Sequence, residues 1–387
     1  MRDTYDIRLL CVAAVVGLLP FTVYSTHLVA IATDVGAEAS MLGVLRGLGG
    51  VAAFATGIAV APLLDRLGRG RAIGASLLLL SLTSMAATYA SLPTTIAFCL
   101  GVGTATAMLT PSLLAAAADG HADTPGAGRA ATTVTAAQSL GAVFAGPVVG
   151  LLAAWGGWRG CLAIVAIVST ALATWVTVSK QPVRPRAAGD QTYRVALASL
   201  LVDSVALRLV AIATLRTAGL MGYLAYLALA YTEHFATTPQ EVTLVWTLSG
   251  AGFFISNLVC GRWANVPGRT SRPHLLLTSG MVIATVATVV VFTTTSLAAA
   301  LVSTALISAG HAATAAAVTS LVVARADESP TQMLSVTAAG MSLGVFIGAG
   351  IGGLGLAAYG LPGAGICLAL ITGLAGVLGL TLRTSRP

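Results

Sequence analysis

The sequence predicts an all-α membrane protein with twelve transmembrane helices in two pseudo-symmetric six-helix bundles. Three observations carry that expectation: a chain almost without charge, a ladder of twelve apolar runs, and a repeat relating its halves. Charged residues make up 9% of the 387 and hydrophobic residues 57%, whereas soluble domains carry about 25% charged residues. A chain so poor in charge cannot face water over its outer surface, so its solvent must be lipid. One spanning helix needs about 20 apolar residues, so the length suffices for about twelve spans and leaves almost nothing for a soluble domain.

Gly, Pro and polar residues punctuate the apolar runs. The first six spans are expected at 9–32, 41–62, 71–91, 94–117, 130–154 and 159–179. The last six are expected at 206–231, 241–261, 273–294, 297–322, 331–357 and 362–382. The first run lacks a small-x-small cleavage site in a polar flank, so it reads as a retained span rather than a signal peptide. The longest break begins with Lys180, Pro182, Arg184, Pro185, Arg186 and Asp190, close to the chain midpoint. It reads as a linker whose second part suits a short interfacial helix. The expected organisation is an N-terminal bundle over 1–180, a cytoplasmic linker over 181–205 and a C-terminal bundle over 206–387.

Orientation follows from the excess of Lys and Arg in cytoplasmic loops. With the N-terminus inside, seventeen of the 20 basic residues fall on the cytoplasmic side; Arg159 lies outside, and Arg46 and Arg216 fall within spans. An odd number of spans would scatter this asymmetry. Both termini are therefore expected in the cytoplasm, with the protein in the plasma (inner) membrane.

Internal repetition supports two bundles, since many transporters are built from repeated halves. Ser139-Leu-Gly-Ala-Val-Phe-Ala-Gly-Pro-Val-Val-Gly150 answers Ser342-Leu-Gly-Val-Phe-Ile-Gly-Ala-Gly-Ile-Gly-Gly353, mapping span five onto span eleven. Asp65-Arg-Leu-Gly-Arg69 answers Asn265-Val-Pro-Gly-Arg269 at nearly the same offset.

Several function classes drop out. Cys11, Cys99, Cys161, Cys260 and Cys367 all lie in apolar runs without ligand spacing, so disulfide and metal readings are weak and small buried hydrophobes are expected. The net charge of +7 comes from scattered residues rather than a basic stripe with interleaved aromatics, so no nucleic-acid partner is expected. His27, His121, His234, His274 and His311 are dispersed, and no HExxH, GxSxG, Walker loop or carboxylate pair occurs. No enzyme, metal site or cofactor is expected, nor a self-contained ATP-driven pump.

Ala61-Pro-Leu-Leu-Asp65-Arg66-Leu-Gly68-Arg69-Gly-Arg71 resembles the signature of the major facilitator superfamily between spans two and three. Ala61 replaces the usual first Gly and Gly70 interrupts the basic run. Physically, a carboxylate at a helix end accepts helix N-terminal N–H groups and arginine donors. In that family the cluster latches the halves when the transporter opens outward, which makes Asp65, Arg66, Gly68, Arg69 and Arg71 a candidate cytoplasmic gate. Span five, with Gly141, Gly146, Pro147 and Gly150, is similar to the Gly-Pro motif of the superfamily's exporters. Its glycines permit close helix approach and Pro147 removes a backbone hydrogen bond. Gly156-Gly-Trp-Arg159 matches the start of span six in such proteins, and Ala32-Thr-Asp34 matches the end of span one. The whole looks closest to bacterial drug-resistance and arabinose-efflux-like (sugar efflux) permeases.

The chain departs from the drug/proton pattern in having no acid in the body of span one and no Arg around Cys99 to Gly103. All 13 acidic residues lie at or beyond span ends, so no mid-membrane carboxylate is available to carry a proton. The ionisable groups left inside are functional candidates. Arg216, near the midplane of span seven, reads as a substrate or coupling residue, or as a structural arginine bonded to carbonyls. His311 of span ten reads as a proton carrier or a packing residue, with Asp34 the other candidate carrier. Arg46 is expected in an outer salt bridge with Asp34 or Glu38, with substrate contact as the alternative. Tyr24, Gln138, Tyr226 and Trp246 are candidate contacts in a central cavity. The function expected is efflux of a small organic molecule by alternating access, coupled to the proton gradient; an importer or passive facilitator is the alternative. With Arg216 and few acids, the cavity leans towards neutral or anionic substrates. The lipid bilayer and a small-molecule substrate are the expected partners, protons a further candidate, and a monomer the expected state.

Overall fold

The computed structural model describes residues 6–59, 68–119, 127–179, 203–264, 271–325 and 330–384, all helices and their short connections. Among them, eleven helical runs are long and apolar enough to cross a membrane. The last of these, Val336–Leu382, has 47 residues, or roughly 70 Å at about 1.5 Å per residue, about twice a bilayer core. It breaks where Tyr359 (φ −140°) and Gly360 (φ 64°) leave helical geometry, just before Pro362. The left-handed φ needs Gly, and Pro362 cannot donate into a continuing helix. Two crossings result, making twelve, which is the expected ladder. The linker expected at 181–205 falls almost wholly outside the described residues.

Span one is three segments, Ile7–Val16, Leu19–Thr26 and Leu28–Val35. Asp6 caps the first by accepting from the Arg8 N–H at 2.9 Å. Pro20 lies at the start of the second, where it removes a backbone donor. His27 joins the second to the third with φ −105° and ψ 23°, and left-handed Gly36 ends the span. Spans two to six are Ala39–Ala59, Arg69–Ala87, Leu92–Asp119, Ala127–Ala153 and Gly157–Val178. Spans seven to ten are Ser204–Phe235, Pro239–Ala264, Ser271–Thr293 and Leu297–Arg325, and Pro330–Thr384 carries spans eleven and twelve. Asp203 caps span seven, accepting from the Val205 and Ala206 N–H groups at 2.9 and 3.2 Å.

Spans two, three, four and six pack together, as do seven, nine, ten, eleven and twelve. The two bundles meet along two seams, span two against eleven and span five against eight. Lipid gives no hydrophobic drive for helix association, so these seams rely on small residues that let backbones approach. A Cβ added at Gly47 would lie 3.0 Å from Ala349 Cβ, and one at Gly50 would lie 2.7 Å from the Phe346 nitrogen. On the other seam, a Cβ at Gly146 would meet Thr247 Oγ1 at 2.9 Å, and one at Gly250 would meet Val143 Cα at 2.9 Å.

Call the side holding the Arg-rich span ends (Arg69, Arg71, Arg262, Arg272) the basic side. The seam contacts above run from mid-helix, at Gly50 and Gly250, towards the far side. Towards the basic side, a Cβ added at Gly57 of span two would meet no described atom within 4 Å. The apolar core is divided the same way. One cluster joins the N-terminal bundle to the far half of the C-terminal bundle, through Tyr226, Leu229, Val242, Trp246 and Leu368 among others. A second cluster, with Leu209, Leu277, Met281, Val318 and Leu382, holds the basic half of the C-terminal bundle and does not join the first. Among the described residues, the bundles touch from mid-membrane to the far side and share no core cluster on the basic side.

Inside the C-terminal bundle, buried Thr304 serves two tyrosines, with its Oγ1 2.7 Å from the Tyr223 hydroxyl and 2.8 Å from that of Tyr231. Thr304→Val strands both buried phenols. At about 1–3 kcal/mol for each unsatisfied group, the loss is several kcal/mol, and a clear fall in the thermal midpoint in detergent is the expected reading.

Candidate functional site

The middle segment of span one, Leu19–Thr26, touches spans five, seven and eight, so it runs between the bundles. Phe21 and Tyr24 project from it onto Phe98 of span four. Tyr24 stacks on that ring with centroids 5.7 Å apart, and Phe21 meets it edge-on at 6.1 Å. The Tyr24 hydroxyl donates to the Leu42 carbonyl at 2.8 Å. Arg46, one turn further along span two, lies with its guanidinium carbon 5.5 Å from the Phe21 ring centroid.

Span seven supplies the opposite wall. Arg46 Nη1 donates to the Met221 carbonyl at 3.3 Å, a hydrogen bond from one bundle to the other. The Tyr226 ring lies against Gly43 of span two, where a Cβ could not fit, and its hydroxyl donates to the Ala349 carbonyl of span eleven at 2.7 Å. Tyr226 therefore wedges spans two, seven and eleven together. Tyr24, Tyr226 and Cys99 all lie within electrostatic range of Arg46.

The structure thus revises one expected pairing: Arg46 does not bridge to Asp34. It is 5% exposed, seven residues into span two, and turned towards span seven. Asp34 instead pairs with Arg159 at 2.9 Å and accepts from the Trp158 indole N–H at 2.8 Å. Arg159 also donates to the Thr88 carbonyl at 3.1 Å and lies over the Trp158 ring. The Gly-Trp-Arg at the start of span six is therefore a clasp on the end of span one, closing the far rim of the N-terminal bundle.

Arg216 is buried at 5% exposure, and Nη2 donates to the neighbouring Thr217 Oγ1 at 3.0 Å. Neither Arg46 nor Arg216 is ion-paired with any described carboxylate. His311 lies within electrostatic range of Arg216. It packs on the same helix, since a Cβ at Gly219 would meet His311 Cε1 at 3.2 Å. The imidazole is fully buried and both ring nitrogens lack a hydrogen-bond partner. Arg216 and His311 thus form a pair within the C-terminal bundle, while Arg46, Tyr24 and Tyr226 form a group between the bundles.

Other expected residues divide between the span five–eight seam and the interior of the N-terminal bundle. Gln138 donates to Thr110 Oγ1 of span four at 3.3 Å. Trp246 covers Gly146, and its buried indole nitrogen has no partner. Gly146 and Gly150 pack on Thr243 of span eight, whereas Gly141 packs on Val15 of span one, and Pro147 lies inside span five. Of the expected cytoplasmic gate, Asp65 and Arg66 lie outside the described residues. Gly68 takes φ 79° immediately before span three, a backbone that favours Gly, and Arg69 and Arg71 open that helix, with Arg71 exposed. Missing from the sequence reading were Gly43, Gly47 and Gly50; the small-xxx-small spacing of Gly43 and Gly47 was the available signal.

A family profile described as Major Facilitator Superfamily matches residues 10–230 and again residues 209–387. No curated protein matches the chain. Among solved structures, it is similar to a bacterial homologue of the human lysosomal transporter Spinster in an inward-facing, occupied conformation. The TM-score there is 0.82 at 17% identity, covering 99% of this chain and 97% of that one. The unoccupied form of the same protein gives 0.81 at 16%, covering 98% and 97%. The nucleoside transporter NupG gives 0.76 at 14% identity, covering 98% of each chain. At these identities the likeness is one of fold.

Proposed function

The chain belongs to the major facilitator superfamily and is a membrane-embedded secondary transporter, and from that premise we propose that it exports a small organic molecule by alternating access, driven by proton entry. The observation that carries this reading is the asymmetry of the seams. Two bundles close along glycine-lined contacts on one side and divided on the other are one of the two states that alternating access requires. The basic side, rich in arginine, is assigned to the cytoplasm of a plasma-membrane protein, so the state is inward-facing. Both termini then lie inside. Export is supported by the Gly146-Pro147 motif of span five, which sits on the seam with span eight. Kinship with drug or sugar efflux permeases rests on those motifs alone.

His311 is the proposed proton carrier. A fully buried ring without partners cannot exchange a proton with water in this conformation. Exchange requires a state in which span ten or span seven moves and wets it, and such one-sided access is what coupling needs. Arg216, beside it, would sense the same proton through its charge. The protein is proposed to act as a monomer, since each seam is made within one chain.

Everted membrane vesicles test the direction. Energised uptake of labelled compounds from a panel of drugs, sugars and organic acids, abolished by a protonophore, is the expected result. Energised uptake only in right-side-out vesicles would make the protein an importer, and equilibration indifferent to the protonophore would make it a facilitator.

A further inference from the structure

Arg46 is a buried cation between the bundles that no described residue neutralises. No described carboxylate pairs with it, and its Nε is buried without a hydrogen-bond partner. Its one bond among the described residues, to the Met221 carbonyl, is long at 3.3 Å for an N–H···O contact, which is usually about 2.9–3.0 Å. The phenols of Tyr24 and Tyr226 spend their protons on the Leu42 and Ala349 carbonyls and carry no charge to offer. Phe21 gives a face of its ring at 5.5 Å and nothing more. A charge held away from water is expensive unless it is paired. Inside a membrane such a residue marks a substrate or ion path by default.

The surroundings narrow what would pair with it. The guanidinium is a planar fork that suits a carboxylate better than any spherical ion. Arg46 brings one positive charge to this aromatic group, since Arg216 lies within the C-terminal bundle beside Thr217 and His311, so one negative charge matches it. The walls around Arg46 are aromatic, Phe21 and Phe98 edge to face and Tyr24 stacked on Phe98, so an apolar body would lie beside the charged group. We propose that Arg46 is the recognition residue for an organic monoanion, a carboxylate on an apolar or aromatic body, which binds between the bundles by replacing the Met221 carbonyl on the guanidinium. This rests on the transporter reading above and names the substrate class of its central site.

The exchange of partners links binding to motion. Arg46 belongs to span two and Met221 to span seven, so their bond ties the bundles together on the sealed far side. The bond to the Met221 carbonyl is charge-assisted on the arginine side only, whereas a carboxylate adds a full negative charge and can accept two parallel N–H···O bonds from the guanidinium fork. The anion therefore outcompetes the carbonyl and removes the tie, which frees the far side to part. An uncharged ligand of the same shape has no such leverage.

The test uses the full chain in lipid nanodiscs and radiolabelled 3-phenylpropionate, competed with hexanoate, benzoate and the matching primary amides and amines. Carboxylates are expected to compete at least about tenfold better than their amides, and Arg46→Gln to weaken carboxylate binding roughly ten- to a hundredfold. Arg46→Lys, which keeps the charge, is expected to keep the preference for carboxylates over amides. Equal competition by carboxylates and amides in the unmodified protein would overturn the proposal without recourse to any variant. So would full carboxylate binding by Arg46→Gln, or a complete absence of carboxylate binding. Hydrogen exchange in Ala39–Ala59 and Pro239–Ala264, followed in the same samples, separates the two readings. If anion preference fails while these helices still exchange alternately from either side, only the substrate class falls; if the far side never opens, the transporter reading falls with it.

Discussion

Replacing Gly146 by Leu is expected to cut transport roughly ten- to a hundredfold while leaving each bundle folded. Gly146 sits where span five crosses span eight. An added Cβ would lie 2.9 Å from Thr247 Oγ1 and 3.2 Å from Trp246 Cβ, and closer still to the Thr243 carbonyl. The last is backbone, so a rotamer change cannot relieve the clash. Overpacking a tight contact costs about 1–3 kcal/mol, and here that cost falls on the far-closed state. A bias of that size shifts a two-state equilibrium by roughly 5- to 150-fold. The protein would dwell open on the far side and cycle slowly. Gly50→Leu should act the same way on the other seam, because its Cβ would meet the Phe346 backbone nitrogen at 2.7 Å and Val345 Cβ at 3.0 Å. Initial transport rates in proteoliposomes measure the loss. Hydrogen exchange in the far halves of spans two and eight should rise in both variants; unchanged exchange with lost transport would mean that the seam is not what the substitution disturbed.

The second large effect is expected at His311. His311→Ala should abolish accumulation driven by a pH gradient while leaving exchange of substrate down its own gradient. Each pH unit drives about tenfold accumulation for each proton coupled, since about 1.4 kcal/mol is a factor of ten. In a vesicle holding a gradient of about one unit, the accumulation ratio should therefore fall from about ten to about one. Replacement of the ring by Ala leaves a cavity but introduces no buried polar group, so folding is expected to survive it better than a polar substitution. Undiminished accumulation in His311→Ala would remove His311 as the carrier. The remaining candidate, Asp34, is committed to Arg159 and Trp158 at the far rim.

Much of the architecture could be read from one dimension, because bilayer thickness and the cost of bare backbone in lipid leave few choices. The break at Gly360-Leu-Pro362 was visible as punctuation, although the backbone there runs almost directly from one span into the next. Gly68 was visible as part of a motif, and its φ of 79° supplies the physical reason for a Gly before span three. The repeat mapping span five onto span eleven is also meaningful, because both stretches lie on bundle seams.

Pairings between distant spans were not legible. Asp34 has oppositely charged neighbours in sequence at Arg46 and in space at Arg159, and sequence distance favoured the wrong one. The orientation of Arg46 depends on the rotation of span two. Gly47 and Gly50 fix that rotation by turning their face to span eleven, which leaves Arg46 facing span seven. Arg216 drew attention as the deeper cation, yet depth alone does not say whether a side chain faces the space between bundles or the interior of one. Its bond to Thr217 and its proximity to His311 place it in the latter.

The central claim is that the far-side seal and the basic-side split exchange places. Spin labels carried on genetically encoded unnatural residues can follow both at once by pulsed dipolar spectroscopy. One pair replaces Tyr89 and Tyr359, which are 80% and 81% exposed at the far ends of the two bundles. The other replaces Val178 and Leu207, exposed towards their basic ends. On imposing a pH gradient across proteoliposomes, the far pair should lengthen as the basic pair shortens, in the same fraction of molecules. Two distances that stay fixed, or that grow and shrink together, would contradict the account.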